Sequence, residues 1–185
     1  GDILREHVQD GTGLGIRARA YMDRGEYVPD ELVVRMVMTR LEQPDADKGF
    51  ILDGFPRTVP QAKALETELE QASRPLTAVL KFAIDDETAV LRLSNRWICP
   101  VCKRTYNMEF QPPSTDRLCD VHDVQLERRA DDEELTVRRR LAVYREQTEP
   151  LEAFYRDRGL LREIDAEARQ GEVAERTMSM LEDDS

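Results

Sequence analysis

The chain has 185 residues and a mass of 21.4 kDa, which suits one compact domain with at most a small insert. Its 27 Lys plus Arg against 38 Asp plus Glu leave a formal charge of -11, which counts against a nucleic-acid or anionic-membrane binder. No stretch approaches the roughly 18 apolar residues of a membrane span, no signal-peptide pattern is present, and three cysteines make no disulfide framework. A cytoplasmic location is therefore expected.

Periodicity predicts a helix in two pieces over residues 2–24, broken at Asp10-Gly11-Thr12-Gly13 and ended by Gly25. Pro29-Asp30-Glu31 opens the next helix, in which Val33, Met36, Val37 and Leu41 follow at the spacing of a buried stripe. Phe50-Ile51-Leu52 reads as a short strand buried on both faces, ending in Asp53-Gly54-Phe55-Pro56-Arg57. A helix over about residues 60–70 leads to a second strand, Val79 to Ile84, and Asp86 is placed to cap a helix carrying Val90, Leu91 and Leu93. This alternation predicts an α/β fold, a parallel sheet flanked by helices.

The pattern breaks between Arg96 and Arg129, which reads as an inserted lobe. Helical spacing resumes at Asp132 and runs toward Tyr155; Leu160 to Ile164 reads as a core strand and Val173 to Leu181 as a closing helix. His7 reads as a solvated helix residue and Trp97 as a packing residue at the hinge of the lobe.

All three cysteines and one of the two histidines fall in the lobe, as Cys99-Pro-Val-Cys102 and Cys119-Asp-Val-His122 separated by sixteen residues. Each pair offers two donors to a tetrahedral ion, and a Cys3His set with no position left for water points to structural Zn2+. A zinc ribbon often binds nucleic acid. Here Arg96, Lys103, Arg104, Arg117, Arg128 and Arg129 face Glu109, Asp116, Asp120, Asp123 and Glu127. With three thiolates and the ion the lobe is about neutral and lacks the positive excess that phosphate backbones require.

The turn at 53–57 stands where open α/β sheets bind ligands, beyond the carboxyl end of the expected strand. Gly54 permits close backbone approach, Pro56 stiffens the turn, Arg57 offers a bidentate phosphate fork, and Gln61 can read a base edge. Arg92 and Arg96 lie four apart on one helix face, and Arg129 and Arg140 flank the far side of the lobe. The expectation is that these guanidinium groups converge on a pair of facing nucleotides.

The sequence resembles adenylate kinases of the bacterial, long-lid, zinc-containing type. The resemblance runs over essentially the whole chain: Gly1-Asp2-Ile3-Leu4-Arg5, Leu52-Asp53-Gly54-Phe55-Pro56-Arg57-Thr58, the four-ligand ribbon, and Arg129-Ala130-Asp131-Asp132. It implies a P-loop-kinase-like fold with residues 1–28 as the nucleoside-monophosphate segment, 29–95 and 134–185 as the core, and 96–133 as the lid. The implied activity is ATP:AMP phosphotransfer by a monomer, with ATP, AMP and ADP as partners. For AMP it implies Arg5, the backbone of Glu26, Tyr27 and Val28, the turn Gly54, Phe55, Pro56 and Arg57, then Gln61, Arg129 and Arg140. For ATP it implies Arg92, Arg96, Thr105, Tyr106 and the main chain of Ala168. Arg92, Arg96, Arg129 and Arg140 would serve the transfer itself. Asp53 would position water around Mg2+, and Asp131 and Asp132 would tether the closed lid.

One family mark is missing. No G-x-x-x-x-G-K-[ST] occurs; Gly11-Thr12-Gly13-Leu14-Gly15 is the nearest cluster, and no lysine follows it. Gly1 aligns just after that first strand-and-loop unit of about thirty residues. The chain is thus expected to be an N-terminally truncated piece with little turnover by itself, and a non-catalytic nucleotide-binding or zinc-ribbon protein is the alternative.

Overall fold

The computed structural model describes residues 2–23, 28–128 and 132–182. The backbone divides into two compact units, residues 1–77 with 147–160 and residues 78–146 with 161–185.

The first unit is helical: α1 (Asp2–Gln9), α2 (Gly13–Met22), α3 (Asp30–Leu41), α4 (Val59–Gln71) and α7 (Pro150–Arg156). The break expected at residues 10–13 is a built corner. Gly11 takes the left-handed backbone (φ 63°) that ends α1, and the Thr12 hydroxyl caps α2 by accepting from the Gly15 N–H at 3.0 Å. Gly15 lies so close to α1 that a Cβ there would come within 1.9 Å of the His7 carbonyl oxygen. His7 is not merely solvated: its Nδ1 stands 2.7 Å from the Thr12 hydroxyl and braces the corner. The Gly25 stop lies outside the described residues.

Two apolar clusters fill this unit. Ala18, Leu32 and Met36 pack with Leu4, Val8, Leu14 and Val28. Val37, Leu41, Ala46, Leu65 and Leu69 pack with Phe50, Leu52, Phe55 and Leu76. Leu65 and Leu69 are fully buried, which contributes about 2 kcal/mol each. Phe50-Ile51-Leu52 is not the doubly buried strand its apolar run suggests: no strand forms there, and Ile51 is 94% exposed. Phe50 and Leu52 face the cluster while Ile51 points out, the alternation of extended chain without a ladder neighbour. Arg74 ties this region down. Its guanidinium donates to the Leu41 carbonyl at 2.6 Å and to the Ala46 carbonyl, and lies over the Phe50 ring.

The second unit is α/β. β1 (Val79–Ala83) and β5 (Leu161–Asp165) pair in parallel, Val79 opposite Leu161 and Ala83 opposite Asp165. Helices α5 (Asp86–Ser94), α6 (Glu134–Val143) and α8 (Gln170–Glu182) belong to this unit. The α5 cap is Asp85, one residue earlier than expected: its carboxylate accepts from the Thr88 N–H at 2.8 Å and the Thr88 hydroxyl at 2.6 Å, which leaves Asp86 as the first helical residue. Arg138 of α6 reaches both oxygens of Glu87 on α5, at 2.7 and 2.8 Å. The lobe is a small antiparallel sheet in the order β3 (Thr105–Asn107), β2 (Arg96–Ile98), β4 (Glu127–Arg128). No helix among the described residues is long and apolar enough to cross a membrane.

Candidate functional site

In the first unit the site grows from the N-terminus of α4. Thr58 caps the helix by accepting from the Gln61 N–H at 3.3 Å, and Pro60 suits the first turn, where its missing N–H costs nothing. That cap sets Gln61 one turn above the 53–57 loop. Gln61 Oε1 accepts from the Arg57 backbone N–H at 2.8 Å, and its Nε2 donates to Asp30 Oδ1, on α3, at 2.7 Å. Gly54 has φ 69°, a left-handed conformation, and its carbonyl accepts from Arg57 Nε at 2.9 Å. Thr148 donates to the Arg57 carbonyl at 2.9 Å. The Arg57 side chain is therefore anchored at Nε and exposed, and among the described residues neither terminal amino group has a partner. A guanidinium held in this way presents the two-pronged edge that matches a phosphate.

Arg5 is exposed on α1, and Asp53 is exposed in the loop. Phe55 packs into the Leu65 cluster and Val28 into the Met36 cluster, which leaves their main chains for any ligand. Pro56 is half-buried. Glu26 and Tyr27 lie outside the described residues. Asp30, read from the sequence only as a helix start, is the residue this reasoning missed. Its partners stand 28 and 31 residues away, and no local pattern announces that pairing.

The other arginines belong to the second unit, and Arg92 and Arg96 do not share the helix face expected of them: α5 ends at Ser94, and Arg96 opens β2. The Arg92 guanidinium donates to the carbonyls of Ala166 (2.6 Å), Glu167 (2.7 Å) and Ala168 (3.3 Å), and lies over the Phe110 ring. The structure thus brings Arg92 and the Ala168 main chain together. Arg96 makes a fork onto Asp132, Nε to Oδ2 at 2.8 Å and Nη2 to Oδ1 at 2.6 Å, and Arg140 Nη1 stands 3.9 Å from the same Oδ1. Asp132 is fully buried. Arg129 and Asp131 lie outside the described residues. Thr105 is exposed on β3, whereas Tyr106 is spent inside the lobe: its hydroxyl sits 3.6 Å from Cys119 Sγ and accepts from the Asp120 N–H at 3.0 Å.

The lobe core is Cys99, Tyr106, Cys119 and Leu126, with Trp97, Met108 and Val124 packed on it. Two matching turns carry the donors. In each, the first cysteine's carbonyl accepts from the residue after the second donor, Lys103 to Cys99 at 3.0 Å and Asp123 to Cys119 at 2.9 Å. Both closing residues are left-handed, φ 59° at Lys103 and 51° at Asp123. The first cysteine's N–H in turn donates to the carbonyl two residues beyond, Arg104 or Val124. The ligand atoms of Cys99, Cys102, Cys119 and His122 all lie within 4.8 Å of one another. Cys102 Sγ to Cys119 Sγ and Cys119 Sγ to His122 Nδ1 are both 3.8 Å. Donors about 2.3 Å from a tetrahedral centre stand about 3.8 Å apart. The set fits such an ion. Burial pushes the Cys119 thiol up, but hydrogen bonds from the Tyr106 hydroxyl, the Val121 N–H and His122 outweigh it and bring its pKa down to about 5. A thiolate is the form a metal takes.

The adenylate kinase family model matches residues 1–160. An adenylate kinase from Methanosarcina barkeri is 44% identical over 181 residues, which cover 98% of this chain and 84% of that protein. One from Desulforudis audaxviator is 46% identical over 181 residues, 98% of this chain and 85% of its own length. One from Archaeoglobus fulgidus is 47% identical over 165 residues, 89% and 76% respectively.

Proposed function

The chain belongs to the adenylate kinase family, and from that premise we propose that it moves the terminal phosphoryl group of ATP to AMP, reversibly, giving two ADP. The observation that supports this most is the Arg57 side chain, fixed at Nε with both terminal amino groups presented to solvent beside a base-reading glutamine. Phosphoryl transfer asks little covalent work of a protein; alignment and charge compensation supply the acceleration. Arginines suit that work because they fork onto oxygen pairs and stay charged.

Arg5, the backbone at residues 26–28, the 54–57 turn and Gln61 take AMP. Arg92, Arg96, Thr105 and the main chains of Tyr106 and Ala168 take ATP. Arg140 and Arg129 complete the charge compensation, with Arg140 drawing on its place beside Asp132. Mg2+ accompanies ATP, and Asp53 orients its water. Residues 1–28 act as the AMP-binding segment, 29–95 and 134–185 as the core, and 96–133 as a long lid stiffened by Zn2+ on Cys99, Cys102, Cys119 and His122. Asp131 and Asp132 tether that lid when it closes to exclude water. Unpaired cysteines suit a reducing cytoplasm, and we take the protein to act as a monomer.

Binding of AMP is the direct readout of the Arg57 assignment. In calorimetric titrations with AMP, Arg57→Ala should weaken binding by roughly tenfold or more, the value of a charged hydrogen-bonded contact. Equal AMP affinity in the two proteins would refute the assignment.

A further inference from the structure

We infer that Asp30 is the residue that makes the AMP site read adenine, by fixing which way the Gln61 amide faces. The inference rests on the AMP reading of the 54–61 segment given above. A glutamine amide offers a carbonyl oxygen on one side and an NH2 on the other, and a half-turn exchanges them. Here the exchange is blocked from both sides. The Asp30 carboxylate only accepts, and it takes Gln61 Nε2–H at 2.7 Å. The Arg57 backbone N–H only donates, and it gives to Gln61 Oε1 at 2.8 Å. A flipped amide would set oxygen against carboxylate and NH2 against N–H, so both bonds would be lost together.

Asp30 is itself held in place. Its second oxygen, Oδ2, stands 3.4 Å from the Thr58 hydroxyl, the same hydroxyl that caps α4 and so positions the Gln61 backbone. The carboxylate therefore braces the helix start and the side chain it presents. After these contacts Gln61 retains one N–H on Nε2 and one lone pair on Oε1, and among the described residues nothing takes either. One donor beside one acceptor, in fixed order, complements adenine, whose N1 accepts and whose 6-amino group donates. It opposes a 6-oxopurine, whose N1–H donates and whose O6 accepts. Asp30 is thus a positioning residue for specificity, acting through Gln61.

The test is calorimetric titration of the full chain with AMP and with inosine monophosphate, which shares the ribose and phosphate and reverses the base edge. The wild-type chain should prefer AMP, and Gln61→Ala should abolish that preference. Asp30→Ala should cut the AMP-to-inosine-monophosphate ratio by roughly tenfold, about the value of one polar contact, and Asp30→Asn, which still offers an acceptor, should restore most of it. A wild-type chain without the preference, or one whose preference survives Gln61→Ala, would overturn the AMP reading and this inference together. A preference that depends on Gln61 but survives Asp30→Ala would overturn this inference alone. So would equal weakening of both ligands in Asp30→Ala, the mark of a purely structural role. If Asp30→Ala does not fold, the wild-type chain decides: a through-hydrogen-bond scalar coupling between Gln61 Nε2 and the Asp30 carboxylate carbon is expected, and its absence refutes the arrangement.

Discussion

Replacing Arg96 with alanine would strip a fully buried carboxylate of its bidentate partner. Asp132 has no exposure, and Arg96 keeps 23% of its side chain in contact with solvent, so the pair is largely desolvated. Removing one member of such a pair costs about 3–5 kcal/mol, because the remaining charge stays out of water without compensation. Arg140 stands 3.9 Å from Asp132 Oδ1 and softens the loss, which places the expectation at about 3 kcal/mol. Trp97 is the chain's one tryptophan and lies next to Arg96 on β2, so urea unfolding followed by its fluorescence reports this region directly. The double replacement Arg96→Met with Asp132→Leu should recover most of the loss, since two apolar side chains, which carry no charge to desolvate, replace an ion pair that nearly breaks even. A cost below about 1 kcal/mol for Arg96→Ala, or a double variant no better than the single, would refute this account.

Further substitutions and a pH series probe the rest of the molecule. Gly15→Ala should destabilise by about 2 kcal/mol or more, since its Cβ would overlap the His7 carbonyl, while Gly13→Ala, with open space around it, should be neutral or slightly stabilising in the same thermal melts. Cys99→Ser should abolish the one zinc per chain that atomic absorption is expected to find; a chain without zinc at all would remove the ribbon assignment. Acid should unfold the protein in a defined window. The hydrogen bonds from Arg138 hold Glu87 below the usual carboxylate range, those from Arg158 do so for Glu66, and those from Thr88 for Asp85. Because the folded values are the lower ones, the stabilisation is complete above the unfolded values of about 4. It is lost as pH falls through the folded ones. Melting temperature should be flat from pH 7 to 5 and drop below 4, with a shallower drop in Glu87→Gln.

The elements that the chain announces locally are legible in the sequence. The break at residues 10–13, the start at Pro29 and the ribbon carry their causes within a few residues: a capping threonine, a left-handed glycine, two C-x2-[C/H] turns. Phe50-Ile51-Leu52 misled because an apolar run states burial but not pairing, and a strand exists only when a neighbour offers its ladder. The candidate site divides the same way. Arg57 and Gln61 stood out because glycine, proline and arginine cluster in sequence, whereas Asp30 and the Arg92 contacts to residues 166–168 depend on packing between helices and loops far apart in the chain.

The guanidinium of Arg74 has an evolutionary corollary. The eight residues between α3 and Phe50 owe their course to two carbonyls reaching one side chain, and nothing in that exchange reads the identity of the residues that supply them. Substitutions at exposed Glu42, Gln43, Asp47 and Lys48 should drift freely, Ala46 should stay small because it is buried in the Leu65 cluster, and insertions or deletions, which would carry Leu41 or Ala46 out of reach, should be purged. Length is the inherited trait of that segment, more than the identity of its exposed residues.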